Sequence, residues 1–253
     1  MPRHPRRCLV VRCGDPEPTV ARDHGCFAKW FRAAICPTVE IDVVDTRTDV
    51  LCPTRLDGVG AVVVSGSPHA VYEPHPWIPA AEALVREAVA RRELPLLGVC
   101  FGHQLLAQAM GGSVTRNPRG REMGTIEVEL NDHGARDALF RAMPRRFAAQ
   151  ATHCDTVLRA PREAAVLATS SKDGCQSFRV GERAWGVQFH PEITAPIMRG
   201  YVRARAAALR AEGSDPDAVH AGVRDQVDGA RVLANFLAVA FDAARAPSEP
   251  AHP

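Results

Sequence analysis

The sequence has no excess of charge of either sign. Lys and Arg total 31 against 29 Asp and Glu, a formal net charge of +2, too small to mark a nucleic-acid footprint. It has no apolar run of about eighteen residues, so no stretch reads as a membrane span. The segment from Met1 to Val10 carries Arg and His but no apolar core of a secretory leader. No Cys-x-x-Cys pair occurs. The closest cysteines, Cys8 and Cys13, have four residues between them, so zinc-type spacing is missing. A Gly-x-x-x-x-Gly-Lys phosphate loop is absent as well, and no internal repeat is visible. From these absences we expect no nucleic acid, no membrane, no metal and no cofactor.

What is present is an ordinary globular balance: 253 residues, 46% hydrophobic and 24% charged, enough to bury a sizeable core. Eight cysteines are an even number, which raises a disulfide framework. The long chain, its full apolar core and the missing leader point instead to reduced thiols in a cytoplasmic protein.

Leu9–Cys13 and Val39–Val44, which alternates at its start, read as strands, and the continuous apolar runs Ala61–Ser65 and Leu94–Val99 suit parallel strands buried on both faces. Helical spacing is expected over about 23–34 and over Trp77–Arg92, where Ile78, Ala81, Leu84, Val85 and Ala88 recur on one face. This alternation defines an α/β fold, a flavodoxin-like doubly wound, mostly parallel sheet with helices on both faces. Alternating segments at Gly124–Leu130, Ala164–Ser170, Cys175–Val180 and Ala184–Phe189 predict a small antiparallel addition. Two C-terminal helices are expected over about 197–212 and 216–244, the second capped by Asp215 with Pro216 at its first position. We therefore divide the chain into a domain at 1–195, a helical extension at 196–245 and a disordered tail at 246–253.

Gly98-Val99-Cys100-Phe101-Gly102 follows an apolar strand and opens a helical pattern. A sharp strand-to-helix turn lifts its middle side chain over the sheet edge, and small residues two positions away avoid a clash. The helix start favours a thiolate at Cys100, and the Phe101 N–H can face a developing oxyanion. A thiol nucleophile needs an oriented base. His190 ends an alternating run, and Glu192, held by Pro191, can fold back onto its ring.

At these residues the sequence resembles the class I glutamine amidotransferase family. Gly98–Gln104 is similar to its nucleophile motif and Gly186–Glu192 to its His-Pro-Glu motif. Val64–Val71 is similar to its oxyanion loop and Thr152-His153-Cys154-Asp155 to a substrate-contacting segment. The four fall in the family's order over about residues 8–193. The resemblance implies that Cys100, His190 and Glu192 form a catalytic triad, and that the N–H groups of Ser67 and Phe101 hold the oxyanion. It further implies that Gly66, Gln104, Thr152, His153, Cys154 and Asp155 contact a glutamine or γ-glutamyl substrate. One departure is Ser67, where many members carry a second glycine. His69, Tyr72 and Trp77 lie just beyond the loop as candidate pocket walls, with Trp77 better read as a helix-start core residue. His103 stands where an apolar residue is common and is expected to be exposed beside the site.

The favoured reading is hydrolysis of the γ-amide of glutamine or a γ-glutamyl compound through a Cys100 thioester. Release of ammonia to a separate synthetase subunit, such as that of a GMP synthase, is the alternative. A cysteine α/β-hydrolase acting on esters orders its triad nucleophile, acid, histidine, which the order here opposes. A non-catalytic binding module with the C-terminal helices as its partner surface is opposed by the intact triad and by Val232–Phe241, whose apolar positions suit packing on the core; a homo-oligomer stays open.

Overall fold

The runs Ala61–Val64, Leu96–Val99 and Ala184–Val187 are buried at every position, so they belong in the middle of a sheet covered on both faces. The computed structural model describes residues 6–241, and the tail expected at 246–253 lies outside them. The chain runs through β1 (Arg7–Arg12), α1 (Pro18–His24), α2 (Phe27–Ala34), β2 (Glu40–Asp45), β3 (Ala61–Val64) and α3 (Trp77–Ala90). It continues through β4 (Leu96–Val99), α4 (Phe101–Ala109), β5 (Ser113–Arg116), β6 (Glu122–Leu130), β7 (Arg146–His153) and β8 (Asp155–Arg159). Then come β9 (Ala164–Ser170), β10 (Ser177–Val180), β11 (Ala184–Val187), α5 (Ala195–Ala204), α6 (Ala206–Ala211), α7 (Pro216–Gly222) and α8 (Val227–Phe241).

The nine-stranded sheet has the order β2-β1-β3-β4-β11-β10-β9-β6-β7. Its first five strands are mutually parallel and form the doubly wound part. From β11 onward the pairings are antiparallel, and β5 and β8 form a separate two-stranded ribbon. Alternate residues of the parallel strands divide between two cores, as the period of two requires. Val10, Val63, Leu97 and Val99 join Phe31, Met198 and Phe236 on one face. Leu9, Val62, Val64 and Leu96 join Leu84 and Leu105 on the other. Within the first core, Val232, Leu233 and Phe236 of α8 are buried beside Trp185, so the expected packing of this helix is observed.

Three helical expectations need correction. The helix expected over about 23–34 is two helices, broken at Gly25, whose φ of +87° ends α1. Glu17 caps α1, its carboxylate accepting from the N–H groups of Thr19 and Val20, a residue type that seldom signals a helix start. The first C-terminal helix begins earlier, at Ala195, and is interrupted at Arg205. The second is split between Gly222 and Val227, although Asp215 caps it with Pro216 at its first position as expected.

β4 and α4 meet without side chains between them. A Cβ on Gly98 would stand 2.3 Å from the Gly102 carbonyl oxygen, and one on Gly102 2.3 Å from that of Val64. We predict that Gly102→Ala costs about 3 kcal/mol, because it must push back the backbone of β3. Gly174→Ala, with open space around it, stays within about 0.5 kcal/mol of the parent. Urea unfolding midpoints of the two variants check the contrast.

Candidate active site

Cys100 sits between β4 and α4 with φ 53° and ψ −101°. A non-glycine residue at positive φ costs on the order of 1–3 kcal/mol and persists only when its surroundings hold it. Here its N–H donates to the Val187 carbonyl at the end of β11 (2.9 Å), and its own carbonyl accepts from the Gln104 N–H (3.1 Å). Phe101 opens α4, where a helix has no acceptor of its own for the N–H.

β11 delivers His190 to the same edge. His190 Nδ1 donates to Glu192 Oε1 at 2.7 Å, and both side chains are buried. The His190 ring lines one pocket with Cys100. Phe27 stacks parallel to the ring with centroids 6.4 Å apart. On the Gly66 side a Cβ would lie 3.0 Å from His190 Cε1, which explains a glycine there. Burial disfavours the charged ring, but the Glu192 carboxylate and the negative charge of Cys100 outweigh it and raise its pKa to about 10.

The backbone of His190 is equally fixed. Its N–H donates to the Gln150 carbonyl (2.8 Å). Its carbonyl accepts from Gln226 Nε2 (2.7 Å), which also donates to Ile193 O (2.6 Å). Gln226 Oε1 in turn accepts from the Gln150 N–H (3.0 Å). Gln226 lies in the break before α8, where an isolated glutamine carries no sequence signal. Phe27 was legible only as an apolar helix position.

Ser67 and Thr152 line the pocket with Cys100 and His190, and Asp15, Glu17, Tyr201 and Arg205 surround it. Its volume is about 30 Å³, room for roughly one or two waters. Gln104, His153, Cys154 and Asp155 are not among its walls. Gln104 is buried, its amide donating to Gln188 Oε1 (3.0 Å) and the Asp155 carbonyl (3.2 Å). His153 Nδ1 faces the Asp155 carbonyl (2.9 Å) and Nε2 faces Glu122 Oε2 (3.0 Å). An acceptor faces each nitrogen; burial opposes the charged ring, but Glu122, Cys100 and Asp173 outweigh it and raise its pKa. The Cys154 carbonyl accepts from the Asn117 N–H (2.8 Å).

Tyr72 donates to Asp155 Oδ1 (3.1 Å) from an exposed position. Trp77 opens α3, half-buried, and packs on Phe101 with centroids 5.6 Å apart, as a helix-start core residue. His103 corrects the expectation of exposure: it is fully buried, packed on Phe178. Its ring fills the space that a side chain on Gly186 would need, with Nδ1 2.5 Å from such a Cβ. Burial holds it neutral, its pKa lowered to about 3.

A nucleophile-type elbow at the carboxyl edge of a parallel sheet, with a His–carboxylate pair beside it, belongs to a recognisable class of protein. The Glutamine amidotransferase class-I family matches residues 23–201, and the chain belongs to that family. It is 37% identical over 153 residues to the GMP synthase [glutamine-hydrolyzing] of Aeropyrum pernix, covering 58% of this chain and 28% of that protein. It is 38% identical over 108 residues to one subunit of the GMP synthase [glutamine-hydrolyzing] of Methanothermobacter thermautotrophicus, covering 42% of this chain and 56% of that subunit. The chain thus spans about a quarter to a half of these relatives. The crystal structure of a glutamine amidotransferase from Thermotoga maritima superposes with a TM-score of 0.74 and 28% identity, over 94% of this chain and 99% of that one. Among the described residues no helix is long and apolar enough to cross a membrane.

Because the folded-state pKa of His190 is raised, its protonation contributes stability that is complete below about 6.5 and lost as pH rises through about 10. We predict that Glu192→Gln lowers the pKa of His190 and flattens the stability profile in that window. Imidazole NMR titration with parallel urea melts checks both; an unmoved His190 pKa would show that Glu192 does not hold the charge.

Proposed function

We propose that the chain hydrolyses the γ-amide of glutamine, or of a γ-glutamyl compound, through a thioester on Cys100. The observation that carries this reading is the juxtaposition of Cys100, strained at the head of α4, with a buried His190 that Glu192 orients at 2.7 Å. Family membership supports it.

The Cys100 sulfur attacks the amide carbon, and the carbonyl electrons move onto the oxygen. The N–H groups of Ser67 and Phe101 take that oxyanion. His190 gives its Nε2 proton to the amide nitrogen, the C–N bond breaks, and ammonia or an amine leaves. The now neutral His190 accepts a proton from water as the hydroxide adds to the thioester. Collapse of the second tetrahedral species frees glutamate and restores thiolate and imidazolium. Glu192 keeps Nδ1 protonated throughout, so only Nε2 exchanges protons with the reaction. Thr152 and Gly66 shape the substrate side of this path, and Gln104, His153, Cys154 and Asp155 support it from behind.

The second reading is that the released ammonia serves a separate synthetase subunit. Its support is the likeness to the Methanothermobacter GMP synthase subunit over 42% of this chain. We predict that the isolated chain releases glutamate from glutamine or a γ-glutamyl amide, and that Cys100→Ala lowers the rate more than about a thousandfold with the fold retained. A glutamine-like electrophile should label Cys100 alone. Labelling spread over several cysteines overturns the assignment, and turnover that appears only with an added synthetase favours the second reading.

A further inference from the structure

The loop that leaves the Gly66–Ser67 turn carries His69, Glu73 and His75, a donor pattern that contains no cysteine. His69 Nδ1 and His75 Nε2 both meet the same oxygen, Glu73 Oε2, at 2.8 and 2.9 Å. The two rings stand 4.3 Å apart at 67°. Among the described residues this is the group whose three ligand atoms lie within 4.8 Å of one another. We propose that His69, Glu73 and His75 form a binding site for one divalent cation of the zinc, cobalt or nickel class.

Two imidazoles and a carboxylate are the donor set those ions take, whereas magnesium and calcium prefer oxygen alone. Metal–nitrogen bonds of about 2.0–2.1 Å set tetrahedral ligand atoms roughly 3.3 Å apart, so each nitrogen needs to move only slightly from Glu73 Oε2. A ligating ring offers a lone pair, so His69 would bind through Nδ1 and His75 through Nε2, each with its proton on the outer nitrogen. The side chains are 33%, 39% and 37% exposed for His69, Glu73 and His75, which leaves the remaining coordination positions to water. Glu73 and His75 also line a shallow hollow of about 420 Å³, separate from Cys100, through which an ion arrives.

The rings are held before any ion binds. His75 stacks on Trp77 at 16°, and His69 meets the same indole at 66°, each with centroids 5.9 Å apart. All three ligands lie within seven consecutive residues, so coordination closes no long loop. The His69 N–H donates to Ser67 Oγ at 3.2 Å, and Trp77 packs on Phe101. An ion here therefore sits beside Ser67, one proposed oxyanion donor, and touches the other, Phe101, only through Trp77, while its binding is independent of the hydrolytic reading.

Isothermal titration of the full chain with Zn²⁺, in the Cys100→Ala background to remove the reactive thiol, tests the site. We expect one equivalent bound, no heat with Mg²⁺, and at least a tenfold loss of affinity in His75→Ala. The double variant His69→Ala/His75→Ala should remove binding with its circular dichroism unchanged; Glu73→Gln, which keeps the loop's size, serves if that variant misfolds and should also bind at least tenfold more weakly. Cobalt substitution should give ligand-field absorption with no thiolate-to-cobalt charge transfer. Zinc binding that survives these substitutions, a thiolate band, or no binding at all overturns the proposal.

Discussion

The pairing of β4 between β3 and β11 is the constraint on which the rest of the site depends. The three strands end together, Val64 opposite Gly98 and Val99 opposite Val187, so the loops that follow them open at one edge. Those loops carry Gly66–Ser67, Cys100 and His190. Loops at the carboxyl ends of adjacent parallel strands are where open α/β sheets collect their chemistry. The hydrogen bond from the Cys100 N–H to the Val187 carbonyl then converts sheet register into side-chain position. It fixes the distorted backbone of the thiol residue to the strand that delivers the histidine. The close approach at Gly98 and Gly102 does the same for α4, whose first N–H cannot drift from the turn.

A second constraint is electrostatic. The site buries two histidines that favour a proton, His190 against Glu192 and His153 against Glu122, and one, His103, that cannot hold one. Residue type and burial are common to all three; what differs is the negative charge within reach, since His103 has only the backbone of Gly186 and Cys175 beside it. Carboxylates pair the first two rings, and the apolar ring of Phe178 faces the third. A buried charge without a partner costs several kcal/mol, so each carboxylate sets the protonation state of its ring.

Much of this was legible in the sequence because it rests on local rules. Gly98 and Gly102 around Cys100 state a turn, Pro191 between His190 and Glu192 states a fold-back, and continuous Val runs state a two-sided sheet. What escaped depends on distant partners. His103 looked like a surface residue because its burial requires the missing side chain of Gly186, which only strand pairing brings beside it. β7 went unread because its Ala-rich sequence has little intrinsic preference for a strand; it forms by pairing with β6 along its whole length. The break within the last helical pattern likewise has no local cause; it is where Gln226 turns inward.

That break changes how the C-terminal helices should be understood. An extension whose only task was to cover apolar surface could run on as one helix. Instead the chain stops between α7 and α8, and Gln226 reaches the backbone of His190, Ile193 and Gln150 with a single side chain. The approach is close enough that a Cβ on Gly229, in the first turn of α8, would meet Gln226 Oε1 at 2.4 Å and the Ala148 carbonyl at 2.9 Å. Each of those backbone groups is buried, and leaving one unpaired costs about 1–3 kcal/mol. The helices beyond residue 196 therefore complete the support of His190: Glu192 orients the ring, and Gln226 holds the backbone from which both project.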